Sequence, residues 1–392
     1  MKDWSKKGAV TLGLALGAVI LIGGRSADAQ VILPSSDLPA GYLVFPKVVV
    51  DVTAASANRT DTLIQLTNTS LGGTRVVHCF YVDAADWSPD DFTLELSPGQ
   101  PAAWSVRDGT TVDNPGSGLI AGRGDQFKGE LKCIEVDQFS VPVPVLANDL
   151  KGEATIYTVR DGFPGSVDVR SYNAIGVQTA TVSTTSTPSS IGRQCEFGTN
   201  PGHACTSDTD CTGGGQCGVT MCLGSNSNSA ECAAVPPDYL SCPATLILNN
   251  FFEGASDPVN GKAITTNVTF VPCTEILIND PDAQPTTRVQ FLIFNEFEQR
   301  MSTATIVQCY KDTPLWGIDA KSQDASVFNV SVQGTLVGQT RMRPVQVAGD
   351  TTVGHGLLAV AEEFHGSDAS VAFNLNESGV NSNKADFVRY FP

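Results

Sequence analysis

Past its first thirty residues, this chain never holds an apolar period of 3.6 for long before a breaker interrupts it. Val, Thr, Ile and Phe gather in short runs such as "YLVFPKVVVD", "TLIQLTNTS" and "VQFLIFNEF". Gly, Pro, Asn or Asp closes each run after roughly ten residues, the spacing of strands in sandwiches and barrels. A chain divided in this way must bury alternate residues of short strands, which means an all-β fold of antiparallel sheets. In "TLIQLTN", Ile64 and Leu66 share one face and Leu63 and Gln65 the other, so the first face is expected inward. Asn68 and Asn295 end two such strands, where an Asn side chain bonds nearby backbone in a turn.

The pattern occurs twice. With Asn68 set against Asn295, Phe45-Pro46 falls near Val271-Pro272 and Cys79 near Cys309. Further on, "GELKCIEVD" around Cys133 answers "GLLAVAEEF" around Val360, and "YNAIG" answers "FNLNESG". The expectation is two tandem, duplicated antiparallel β-sandwich units with a small disulfide-rich insert between them. The boundaries read as 1–29 for a signal peptide, 30–188 for the first unit, 189–243 for the insert and 244–392 for the second unit.

The insert holds seven of the 11 cysteines: Cys195, Cys205, Cys211, Cys217, Cys222, Cys232 and Cys242. Zinc sites need close Cys pairs, and the spacings here are wider and irregular. A redox site needs Cys-x-x-Cys beside a βαβ pattern, and neither is present. A stretch this rich in Gly, Ser, Thr and Asn cannot bury a core of its own and needs cross-links to hold a shape. The insert therefore reads as a disulfide staple, with one of its seven cysteines left over. In the β units, Cys79 is expected to pair with Cys133 and Cys273 with Cys309, each pair joining strand-like runs of one unit.

The segments "DTLIQLTNTS", "VVHCFYVD", "NDLKGEATI" and "YNAIG" resemble large exported bacterial proteins of unassigned role. "CTSDTDCTGGGQC" resembles the short cysteine-rich repeats of many secreted bacterial proteins. The resemblance implies an exported, β-rich, extracytoplasmic protein and adds no catalytic residue or ligand.

The N-terminus points to the same compartment. Lys2, Lys6 and Lys7 precede an apolar run from Gly8 to Gly24, and Ala27-Asp28-Ala29 offers a cleavage site. These are the three regions of a secretory signal peptide, and no later segment is long and apolar enough to span a membrane. The net charge of -17 argues against nucleic acid as a partner, because phosphate backbones select basic surfaces. A surface protein or a glycan is the expected class of partner.

Catalytic patterns are missing. There is no His-Glu-x-x-His, no Gly-x-Ser-x-Gly and no phosphate-cradling glycine loop. His355, Glu363 and His365 have no spacing that brings them together as ligands, and Glu362 and Glu363 read as solvated charges at a strand end. Asp90 with Asp91, in a turn after Pro89, and Glu296 with Glu298 read as surface charge. Trp87 and Trp316 fall in loop-like stretches after a cysteine, so they are the candidate ligand-facing aromatics. No cofactor is expected. The reading is a secreted, non-catalytic β-sandwich protein with a structural, adhesive or binding role at the cell exterior. The alternative is a secreted protein that binds or cleaves carbohydrate.

Overall fold

The run "YLVFPKVVVD" forms the first strand, β1 (Tyr42–Asp51), and its proline decides what happens around it. The structure, a computed structural model, describes residues 37–53, 58–109, 120–136, 147–160, 167–179, 243, 245–273, 286–345, 356–367 and 369–377, with short pieces at 193–195, 204–205, 208–210, 212 and 217–219. The first half continues with β2 (Asn58–Asn68), β3 (Arg75–Asp83), β4 (Pro89–Leu96), β5 (Pro101–Ser105), β6 (Gln126–Val136), β7 (Leu150–Arg160), β8 (Val167–Asn173) and β9 (Ile175–Val177). They join in the order β4-β3-β6-β1-β2-β7-β8, with β5 beside β2 and β9 beside β1. Every pairing is antiparallel.

Pro46 has no N–H to give the ladder. The β1–β6 register accordingly shifts between Phe45 and Val48, a bulge that takes Lys47 out of the pairing. The Lys47 N–H is donated instead to the Tyr172 hydroxyl at 3.0 Å, and that hydroxyl donates back to the Lys47 carbonyl. Tyr172 thus satisfies both backbone groups that the proline displaced.

The second half comprises β13 (Leu246–Phe251), β14 (Ile264–Cys273), β15 (Thr286–Asn295), β16 (Arg300–Gln308), β17 (Lys311–Pro314), β18 (Val337–Val345), β19 (Gly356–His365), β20 (Ala369–Asn374) and β21 (Asn376–Glu377). They form two sheets, β16-β15-β18-β13-β21 and β17-β14-β19-β20. Val289, Phe291 and Ile293 of one sheet meet Val268, Phe270, Leu357 and Ala359 of the other in a shared core. The rings of Phe270 and Phe291 touch edge-on at 5.9 Å. Between the halves, β10 (Arg193–Cys195), β11 (Ala204–Cys205) and β12 (Cys217–Val219) make a small sheet of their own. The staple expected of the insert, and Cys211, Cys222, Cys232 and Cys242 with it, lie outside the described residues.

Strands β1, β3 and β6 are buried along nearly their whole length. One face of this layer fills the first core with Phe45, Val77, Tyr81 and Leu131. The other face carries Tyr42, Val44, Phe80 and Ile134 against Val271, Cys273 and Leu358 of the second half. The halves therefore share a core.

Cys79 and Cys133 lie directly opposite one another in the β3–β6 pairing and are disulfide-bonded, with Cα atoms 4.0 Å apart. The second expected bridge is corrected. Cys309 has a free, buried thiol, while Cys273 is disulfide-bonded elsewhere. Cys309 follows β16 in a left-handed turn (φ 57°), and β16 and β14 belong to different sheets. Burial pushes the Cys309 thiol up to about 12.

Asn68 is fully buried at the end of β2. Its amide donates to the carbonyls of Gly73 (2.9 Å), Leu96 (3.0 Å) and Ser97 (3.1 Å), and its carbonyl accepts from the Ser70 N–H at 2.9 Å. Asn295 ends β15 comparably, donating to the Gln333 carbonyl and accepting from the N–H groups of Phe297 and Gln299. Asn68→Ala should cost about 1–3 kcal/mol for each buried acceptor it orphans, with sub-additive totals, read by urea unfolding. Asn68→Asp should cost more at neutral pH, because carboxylate oxygens would face three carbonyls. That deficit should shrink in acid, where the carboxyl carries a proton to donate.

Candidate functional site

The Pro46 bulge turns the Lys47 side chain out of the first sheet and into the junction of the two halves. There β17 presents Asp312 and β19 presents Glu362. Lys47 Nζ lies 2.9 Å from Asp312 Oδ1 and 2.5 Å from Glu362 Oε2. Arg170, on β8, reaches Glu362 Oε1 at 2.9 Å and Asp168 Oδ2 at 2.5 Å. Lys128 meets Asp312 Oδ2 at 2.7 Å, and Thr269 Oγ1 donates to Asp312 Oδ1 at 2.9 Å. Three cations (Lys47, Lys128, Arg170) thus face three carboxylates (Asp168, Asp312, Glu362). Glu362 is 2 % exposed and Lys47 6 %, so the centre of the network is buried, while Lys128 at its edge is half-exposed. Burial opposes the Lys47 charge, but the carboxylates of Glu362 and Asp312 outweigh it and hold the ammonium pKa above its ordinary value. Asp312 is likewise held low against burial by Lys47 and Lys128.

Asp168 and Arg170 of this network also line a cleft of about 720 Å³. Asn58 and Thr60 of β2, Thr158 and Arg160 of β7, and Asp168 and Arg170 of β8 line the first-half side. The second half contributes Phe364, at the end of β19, and Ser367, in the turn that follows. The Arg170 guanidinium lies 5.1 Å over the Phe364 ring. Arg160 donates to the Ser367 carbonyl, and Ser370 Oγ donates to Asp168, so both halves hold the walls. Two arginines and two aspartates, Arg160 and Arg170 against Asp168 and Asp51, line the cleft. Such a lining, with hydroxyls, an amide and one ring, suits an uncharged, hydroxyl-bearing ligand.

Trp87 is corrected as a ligand-facing aromatic. It is 3 % exposed, in the left-handed region (φ 63°) of the turn between β3 and β4. That backbone folds the ring into the junction of the halves, under the Lys132 ammonium at 5.1 Å. Lys132 pairs there with Glu130 at 2.9 Å, both almost fully buried. Trp316 is half-buried in a short 3₁₀ turn, Leu315–Asp319, away from the cleft lining. Glu362 is also corrected: it is the buried centre of the network, while Glu363 hydrogen-bonds His365 at 2.8 Å. Asp257 takes the other His365 nitrogen at 2.5 Å, and these two carboxylates raise the imidazole pKa. His355 lies outside the described residues. Among the described residues no three His, Cys, Asp or Glu side chains converge as metal ligands. Asp90 and Asp91 lie in strand β4, not in a turn, and the Asp91 carboxylate accepts from His78 Nε2 at 2.9 Å. Glu296 and Glu298 are exposed in the turn between β15 and β16. Sequence reasoning missed Lys47, Arg170 and Asp312; a charge inside the apolar run "FPKVVV" was the signal available for the first of them.

Besides Glu130, Glu135 is a buried acid outside the network. Arg75 directs Nε and Nη2 to Asp149 at 2.7 and 2.6 Å, which leaves Glu135 beside Nε at 2.8 Å without a hydrogen bond of its own. Burial raises Glu135 from 4.5 to about 7.

Two outcomes follow from these charges. Glu362→Ala should lower stability by about 3–5 kcal/mol, because it strips a partner from two buried cations at once. Urea unfolding of the variant and the parent measures this. For Glu135, the folded state binds the extra proton, so the parent loses stability as pH rises from 4.5 to about 7. Glu135→Gln should therefore be more stable than the parent at pH values above this window and equal to it below, in unfolding curves taken across the range.

The sequence matches no family model and no curated protein. Among solved structures, "Thermotoga maritima 1070" is 11 % identical with a TM-score of 0.23, covering 35 % of this chain and 95 % of that one. The PBSX exported protein XepA is 10 % identical with a TM-score of 0.16, covering 79 % and 83 %. The viral chemokine binding protein R17 of rodent gammaherpesvirus Peru is 9 % identical, also with a TM-score of 0.16, covering 84 % of each chain.

Proposed function

We propose that this is an exported, non-catalytic β protein with a binding role at the cell exterior, and that the cleft at the junction of the halves receives an uncharged glycan. The observation that carries the reading is the cleft itself. Its guanidiniums and carboxylates are held by one another and by groups of both halves, and the rest of its lining is the hydroxyls of Thr60, Thr158 and Ser367, the Asn58 amide and the Phe364 ring, over one side of which Arg170 lies. A sugar offers the complementary donors, acceptors and C–H faces.

Export is supported by the N-terminal pattern and by the Cys79–Cys133 disulfide, which suits an oxidising compartment. Among the described residues no helix is long and apolar enough to cross a membrane. The matched ends of β2 and β15, each closed by a buried Asn, support the duplication of the two halves. Binding is favoured over cleavage by Asp168, whose two oxygens are taken by Arg170 and Ser370 and so are not presented to a glycosidic bond.

A glycan array probed with the mature protein tests this, together with a glycoside hydrolase screen. The expected result is capture of at least one neutral glycan with no turnover. Asn58→Trp, an exposed position at the cleft mouth, should weaken that capture roughly tenfold or more while leaving the melt unchanged. Silence on the array defeats the binding reading, and hydrolysis defeats the non-catalytic one.

A further inference from the structure

The outer face of the second-half sheet has the opposite electrostatic character. In β15, Val289, Phe291 and Ile293 point into the core, so Arg288, Gln290, Leu292 and Phe294 point outward. β15 lies between β16 and β18, and the register fixes its neighbours. On β16, Arg300 stands opposite Phe294 and Ser302 opposite Leu292. On β18, Arg341 stands opposite Leu292 and Arg343 opposite Gln290. A groove of about 530 Å³ results. Its floor is Leu292 and Phe294, and Arg300 walls one side while Arg341 and Arg343 wall the other.

Among the described residues no carboxylate lines the groove, although the chain has 41 Asp and Glu against 24 Lys and Arg. Among the described residues, Arg300 and Arg343 make no ion pair or hydrogen bond. Arg341 is pre-oriented: Nε donates to Gln339 at 3.2 Å and the guanidinium lies 5.2 Å over the Phe294 ring. Like charges gathered on one sheet face repel, and this face keeps them without a counter-charge of its own.

We propose that this groove binds an acidic polysaccharide, a polymer that repeats a carboxylate on successive sugar rings. Guanidinium forks match carboxylates bidentately, and Leu292, beside the Phe294 ring that steadies Arg341, offers apolar surface to the C–H faces of the rings. The floor from Gln290 to Phe294 runs roughly 14 Å along the strand, room for a short run of rings. The acidity of the rest of the protein does not forbid this, because charges more than about 8 Å away are screened at physiological salt. The groove is distinct from the cleft between the halves. An anionic ligand here and a neutral one there stand or fall separately, since neither lining shares a residue with the other.

Calorimetric titration of the full chain with a galacturonate oligomer tests the proposal. The same oligomer as its methyl ester, poly-glutamate and a short DNA duplex serve as comparators. The oligomer should bind in low salt, weaken strongly at about 0.5 M salt, and outbind both its ester and poly-glutamate. The variant Arg341→Gln/Arg343→Gln should lose roughly tenfold or more in affinity per arginine, and Arg300→Gln the same, with melts unchanged because these side chains reach solvent. Asn58→Trp should leave this binding untouched. Equal binding of the ester, indifference to the arginine variants, or preference for poly-glutamate or DNA would each overturn the proposal. So would self-association of the chain that the double variant abolishes in the absence of polymer binding.

Discussion

A lysine displaced by a proline holds this structure in register. Pro46 breaks the β1–β6 ladder, the bulge releases Lys47, and its ammonium becomes the meeting point of Asp312 and Glu362 from the other half. Around these ion pairs, and the ties of Lys128, Arg160, Arg170 and Ser370 beside them, the halves also meet through an apolar contact: Tyr42, Val44 and Ile134 against Val271 and Leu358. Apolar burial is strong but has no direction. Buried ions are the reverse. Their net contribution to stability is small, since desolvation offsets the Coulomb gain, but a misplaced partner is costly. The network selects one way of apposing two oily sheets, and the cleft above it keeps its shape for the same reason.

Much of the architecture was legible. The alternation in "TLIQLTN" placed Ile64 and Leu66 inward, and both are fully buried while Gln65 is exposed. Cys79 and Cys133 were pairable because each lies within a strand-like run, and antiparallel neighbours bring such runs side by side. The contact between the halves was signalled but not recognised. "YLVF" and "GLLAVA" are unbroken apolar runs and "VVHCFYV" is broken only by His78, which is how a strand buried on both faces reads. They form β1, β3 and β19, the layers on either side of the shared core.

The sites were harder to read, and for a physical reason. Glu362 and Lys47 look like ordinary solvated charges until their strands are brought together, and the pairing of distant strands is not encoded locally. Trp87 misled for a related reason. Its loop position suggested exposure, but a left-handed turn residue folds back over its own sheet. The arginine groove depends on register: Arg300, Arg341 and Arg343 are scattered in sequence and converge only because β15 separates β16 from β18. The two clefts then differ in how their charge is settled. Between the halves, arginines find acids within the fold. On the outer sheet they do not, and the same side chain changes from a structural tie to an open receptor.

The shared core also orders the folding of the chain in time. Lys47 and Asp312 are separated by 265 residues, and the outer face of β1 finds its partners only when β14 and β19 exist. Until then Tyr42, Val44, Phe80 and Ile134 are an uncovered apolar sheet. Contacts this distant close slowly, and a strand layer left open in the meantime is prone to adhere to its neighbours. The cross-strand Cys79–Cys133 bridge needs only a separation of 54, so it can lock the waiting layer flat long before its cover arrives. The disulfide thus ties β3 to β6 independently of the distant contacts that cover the layer, as well as bracing the finished protein.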